Sequence, residues 1–150
     1  MRKPAVFLRI AAFVTLIHAV LHTIGGVFGK PGPGPATIAF QAMVTNQFPL
    51  LGHMRSFADF YRGLGLMVTI FLTAEAIVFW QLGSLAHTDA QRLRPILATF
   101  LVAYLALAAN SYAYFFLGPV IVEIAIAACL GFAIATAKSS SAAYAGTARI

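Results

Sequence analysis

Apolar residues in this chain come in four long runs, at residues 6–28, 57–81, 94–116 and 120–137, and only a few polar positions interrupt each run. A membrane-spanning helix needs about 20 predominantly apolar residues, so the pattern predicts four such helices. A transmembrane barrel would need segments of about ten residues in which apolar and polar positions alternate, and the runs do not alternate. The predicted fold class is therefore all-α: an integral membrane four-helix bundle over residues 1–137, followed by a flexible C-terminal tail at 138–150. The first run follows Arg2 and Lys3, as the core of a signal peptide would. It is longer than such a core, however, and it carries Arg9, His18 and His22. It closes on Gly25-Gly26 with no small-x-small cleavage pattern, so it reads as a retained span.

The connections differ in kind. Lys30-Pro31-Gly32-Pro33-Gly34-Pro35 cannot be helical, because each proline removes a donor and restricts the residue before it. Residues 36–43 and 47–54 are short and apolar, and are expected to lie at the membrane interface or to fold over helix ends. Residues 83–93 are polar and link the second and third spans, with Pro95 suited to the first turn of the third. Leu117-Gly118-Pro119 predicts a tight helical hairpin in which Gly ends one helix and Pro begins the next. The serines at 139–141 open a tail with little to bury.

Composition sharpens this picture. Only 9% of the 150 residues are charged and 61% are hydrophobic, with a mean hydropathy of +0.88. Soluble domains carry roughly 25% charged residues, so a water-soluble globule is excluded. A net charge of +6 would suit nucleic acid, but Lys and Arg occur singly or in pairs beside the apolar runs. That is the pattern of topology signals and headgroup contacts, so membrane lipids are the expected partners and nucleic acid is not. Seven of the ten basic residues (Arg2, Lys3, Arg9, Arg92, Arg94, Lys138 and Arg149) fall on one side of the predicted topology, against Lys30, Arg55 and Arg62 on the other. The bias places both termini in the cytoplasm and the long Pro/Gly connection outside. The single cysteine, Cys129, lies within an apolar run and supports neither a disulfide framework nor a thiolate metal site.

Ionisable groups inside spans cost about 2.5–3.5 kcal/mol each at the bilayer centre on insertion scales, so their placement is informative. With a rise of about 1.5 Å per residue, His18 is central in the first span and His22 lies roughly 7 Å outward. Asn110 and Glu123 reach about that level from the third and fourth spans, and Arg62 with Asp59 lies slightly further out in the second. Helical spacing places Thr15, His18, His22 and Gly25 on one stripe, and Glu123, Ala127, Gly131 and Ala135 on another. Asp59 is expected to pair with Arg62 across one turn. Glu75 lies toward the cytoplasmic side, with Arg9, or alternatively Arg94, as its expected ion-pair partner.

Several chemistries compete for these groups. His18 and His22 at i, i+4 fit a metal site with Glu123 as a third ligand, or haem ligation, although no thiol or second such pair accompanies them. His22 and Glu123 suit proton transfer, with His18, Asp59, Arg62 and Asn110 as ligand-binding groups and Arg62 and Asn110 placed for an oxyanion. The structural alternative is a polar network that selects one helix arrangement. Residues 48–55 are candidates for a lid. Tyr112 and Tyr114 on the outer side, and Trp80 on the cytoplasmic side, read as interfacial anchors.

The stretch Ser56-Phe57-Ala58-Asp59-Phe60-Tyr61-Arg62-Gly63-Leu64-Gly65 carries a resemblance. With a His in the first span, Arg94-Pro95 opening the third and aromatics before Gly118-Pro119, the chain resembles a group of small, mostly uncharacterised bacterial four-span membrane proteins. The resemblance implies a bacterial cytoplasmic (inner) membrane and draws attention to Asp59, Tyr61 and Gly63; it implies no reaction. The functional expectation is an intramembrane polar pocket in the outer half that binds a lipophilic small molecule with a polar or anionic end, with acid–base chemistry as an extension. The alternatives are a haem- or quinone-linked redox subunit using His18 or His22, and a small proton-coupled transporter acting as a homodimer.

Overall fold

The computed structural model describes residues 3–137. The predicted tail, with Lys138 and Arg149, lies outside the described residues, as does Arg2. Helix α1 (Lys3–Leu21) runs on into a π-helical stretch (His22–Val27), followed by α2 (Pro35–Thr45) and two short strands, β1 (Gln47–Leu50) and β2 (His53–Ser56). Then come α3 (Phe57–Asp89), a 3₁₀ turn (Gln91–Leu93), α4 (Arg94–Tyr114) and α5 (Leu117–Thr136). Four helical stretches, Lys3–Val27, Phe57–Asp89, Gln91–Tyr114 and Leu117–Thr136, are long and apolar enough to cross a membrane. The fold is all-α as predicted, and the chain is a multi-pass membrane protein. Large apolar side chains such as Phe13, Ile70, Val102, Ile121 and Phe132 are exposed, as lipid-facing residues are.

Three local details depart from the sequence pattern. Helix α3 does not stop near Gln81 but continues to Asp89, because Leu82 and Ala86 recur four residues apart and both are buried. At about 1.5 Å per residue its 33 residues extend about 50 Å, beyond the roughly 30 Å of hydrocarbon. Gly118 does not end α4. The break falls at Phe115 and Phe116, whose backbones leave the helical region, and Gly118-Pro119 lies in the first turn of α5. There a proline costs no hydrogen bond, since the first amides of a helix have no partner within it. The third departure is the strand pair, an antiparallel ladder from Gln47↔Ser56 to Leu50↔His53. Its two-residue turn, Leu51-Gly52, has positive φ at both positions (47° and 83°), as a type I′ turn requires.

The chain divides into two compact units: one holds the residues up to His18 and from Ala74 onward, the other is Ala19–Thr73. The first unit contains the apolar core. Ala5, Leu8, Ala11 and Ala12 of α1 meet Phe79, Leu82 and Ala86 of α3, Leu97 and Tyr104 of α4, and Ile126, Ala127, Leu130 and Ala133 of α5. Lipid tails are as apolar as leucine, so such helices associate through close packing and interhelical hydrogen bonds. The many alanines allow that approach. Gly83 allows it too: a Cβ there would stand 3.3 Å from Arg9 Cγ and 3.4 Å from the Ala5 carbonyl oxygen.

The expected Glu75–Arg9 ion pair does not form, and Arg94 does not replace Arg9. Among the described residues the one ion pair is Arg92–Asp89 at 2.8 Å. The guanidinium of Arg9 lies over the Trp80 ring, 4.4 Å from its centroid, where the face of the π-system attracts a cation. The Glu75 carboxylate instead accepts a 2.6 Å hydrogen bond from the Tyr104 hydroxyl of α4. Trp80 is therefore a partner of Arg9 as well as a candidate interfacial anchor.

Candidate functional site

In the unit Ala19–Thr73, the α-helix gives way at His22 to i→i+5 geometry through Gly25 and Gly26, two residues of low helix propensity. The π-helical turn shifts side chains off the simple 3.6-residue stripe that aligned His22 with Gly25. A local polar network accompanies it. His22 Nε2 lies 3.1 Å from the Gly65 carbonyl oxygen. A carbonyl only accepts, so this nitrogen carries the proton and is a donor, not a lone-pair ligand. Thr69 donates to the same carbonyl at 3.2 Å and shares a 2.9 Å hydroxyl contact with Thr23, which itself bonds the Ala19 carbonyl. Gly65 permits the approach: a Cβ there would lie 2.9 Å from Val27 Cγ2. His22 thus helps to join two helical segments.

Asp59 is also held locally. Ser56 precedes α3 and its hydroxyl accepts the Asp59 amide at 3.3 Å, while Asp59 Oδ2 accepts the Ser56 amide at 2.8 Å and the hydroxyl at 3.0 Å. This is a reciprocal capping box, which satisfies amides that the first helical turn leaves without partners. The Asp59–Arg62 contact expected across one turn is not made at ion-pair distance, since the carboxylate turns back toward Ser56, although the two charges still attract. Beyond that attraction Arg62 makes no hydrogen bond and no ion-pair contact among the described residues.

Arg62 lines a cavity of about 530 Å³. One wall is the glycine-rich segment at residues 25–31, a second is the Ala36, Ala39, Phe40 and Met43 face of α2, and the third is Ala58, Tyr61 and Arg62 of α3. The α2 residues follow i, i+3, i+4, i+7 spacing, so one helical stripe faces the cavity. At the C-terminal end of the π stretch any side chain on Gly29 would collide with the Gly25 carbonyl, which explains the glycine there. Phe28, Phe40 and Met43 make the wall apolar, and Arg62, Lys30 and the Tyr61 hydroxyl are its polar side chains.

No protein-family model, curated protein or solved structure matches the chain.

The other sequence-predicted groups belong to the unit that holds the core. Glu123 is buried on α5 and accepts a 2.9 Å hydrogen bond from the Ser111 hydroxyl of α4. Asn110, next to Ser111, is exposed, and His18 is half-buried on α1. Among the described residues no three His, Cys, Asp or Glu side chains converge to hold a metal ion. Of the predicted site residues, the cavity takes Arg62 alone. In the sequence Lys30 reads as a topology charge and residues 36–43 as an interfacial segment. Their signals, a cation at the mouth of a Gly/Pro turn and an apolar i, i+3, i+4 pattern, are legible once both are considered as cavity walls.

Proposed function

We propose that this protein binds a lipophilic small molecule with an anionic end, seated in the cavity of the Ala19–Thr73 unit. The observation that carries this reading is the pairing of an apolar wall with a cation that makes no hydrogen bond and no ion-pair contact among the described residues. Small-molecule sites are commonly clefts of about 300–1,000 Å³, mostly apolar, with a few polar groups that fix orientation, and this cavity fits that description. Arg62 would grip a carboxylate or phosphate through its planar fork, and Lys30 would add a second positive charge. Phe28, Phe40 and Met43 would cover the apolar body. The lining side chains offer cations and a phenol but neither carboxylate nor imidazole, so the chemistry they support is capture. In a bacterial inner membrane, the Lys and Arg bias would set this cavity toward the outer side.

The test is native mass spectrometry of the protein released from its own membranes, compared with Arg62→Ala. A co-purifying anionic amphiphile present on the first and reduced about 10-fold or more on the second is expected, since a lost charge-assisted hydrogen bond is worth about 1.5–3 kcal/mol. Equal retention by both proteins, or none by either, would remove Arg62 from the reading.

A further inference from the structure

The unit that holds the core contains acidic side chains that the cavity does not use. On α4, Tyr104 and Ser111 stand seven residues apart, with Ala108 between them, and all three are buried. Each hydroxyl donates to a carboxylate of a different helix: Tyr104 to Glu75 of α3, and Ser111 to Glu123 of α5. The two carboxylates are not alike. Glu75 is partly exposed, whereas Glu123 is 5% exposed and its second oxygen, Oε2, is buried with no hydrogen-bond partner. Glu123 is no part of the Arg92–Asp89 ion pair, and the Ser111 hydroxyl is the donor that reaches its Oε1.

An ionised carboxylate in a membrane core needs a cation or several donors, and one serine hydroxyl is a small fraction of what water supplies. A proton on the carboxyl removes the charge and leaves Oε1 free to accept from Ser111. We propose that Glu123 is a proton-binding site within the membrane-spanning unit, carrying an exchangeable proton in the resting protein, with Ser111 as its fixed donor. Of the elements that form this core with α5, α1 contributes Arg9 and His18, α3 contributes Glu75, and α4 contributes Tyr104. Arg9 is engaged with Trp80, and Glu75 with Tyr104. The site is independent of the proposed ligand cavity, and each can fail without the other.

The experiment is infrared spectroscopy of the full-length protein in lipid bilayers across a pH series, in H₂O and in D₂O. The carbonyl stretch of a neutral carboxylic acid is expected at neutral pH in the wild type, lost in Glu123→Gln and lost reversibly in the wild type as pH rises. The same band should move on transfer to D₂O, because the proton exchanges. Ser111→Ala retains the carboxyl and removes its donor, so it should shift the band without abolishing it, which keeps the test open if Glu123→Gln fails to fold. A neutral-carboxyl band that neither variant alters, or no such band in the wild type, overturns the proposal. A Glu123 band that does not move in D₂O overturns exchange.

Discussion

The two units satisfy their polar groups in different ways. In the unit with the core, buried hydroxyls of one helix meet carboxylates of its neighbours, and Phe79, Leu8, Leu97, Ile126 and Leu130 are almost fully enclosed. In Ala19–Thr73 the buried side chains are few, namely Ala19, Val27, Ser56 and Leu72, and α2 buries none. Its backbone is broken into a π-helical turn, a Pro/Gly segment, a short helix and a hairpin, and a cavity opens between the first three of these and the start of α3. Regular helices close a core by satisfying their own backbones; irregular segments leave concave surface, and binding residues concentrate on such segments. Under the proposed function, one unit serves as scaffold and the other captures the ligand.

The strongest attempt to break this division is Phe79→Ala. Phe79 is fully buried, with ring centroids 5.0 Å from Phe100 and 6.0 Å from Tyr104. Removing it should cost about 3–5 kcal/mol of stability, read as a lowered unfolding midpoint in micelles, while the bound amphiphile is retained below that midpoint. Loss of ligand from the still-folded variant would merge the two roles.

Ser56→Ala probes the other unit more gently. It removes one side of the capping box and should cost about 1 kcal/mol. The effect should appear as faster proteolysis or amide exchange around β2 and the first turn of α3, with the aromatic core undisturbed. The smallest expected effect is that of Trp80→Leu, which removes the ring beneath Arg9 and should cost about 0.5–1 kcal/mol with no change in bound amphiphile.

How much of this was legible in the sequence follows from what each feature depends on. The four helices were legible because a bilayer demands long apolar runs, and no folded alternative satisfies the backbone there. The end of α3 was misplaced because the polar residues at 84–89 suggested a connection, whereas buried Leu82 and Ala86 carried the helix onward. Ser56-x-x-Asp59 is a capping signature, which depth along the span alone does not reveal. The hairpin was obscured because leucine seldom occupies the left-handed region that Leu51 adopts. The partner of Glu75 was misjudged because opposite charge was sought at equal depth, while the group that reaches it is a phenol from α4. The cavity was least legible, since its walls come from segments whose mutual packing no periodicity encodes.

Amide hydrogen exchange of the intact protein in micelles, with and without a single-chain fatty acid as an anionic amphiphile, tests the division most directly. Slowed exchange is expected at residues 25–43 and 58–62, abolished in Arg62→Ala, with α4 and α5 unchanged. Protection confined to α4 and α5, or the same protection of residues 25–43 in Arg62→Ala as in the wild type, would contradict it.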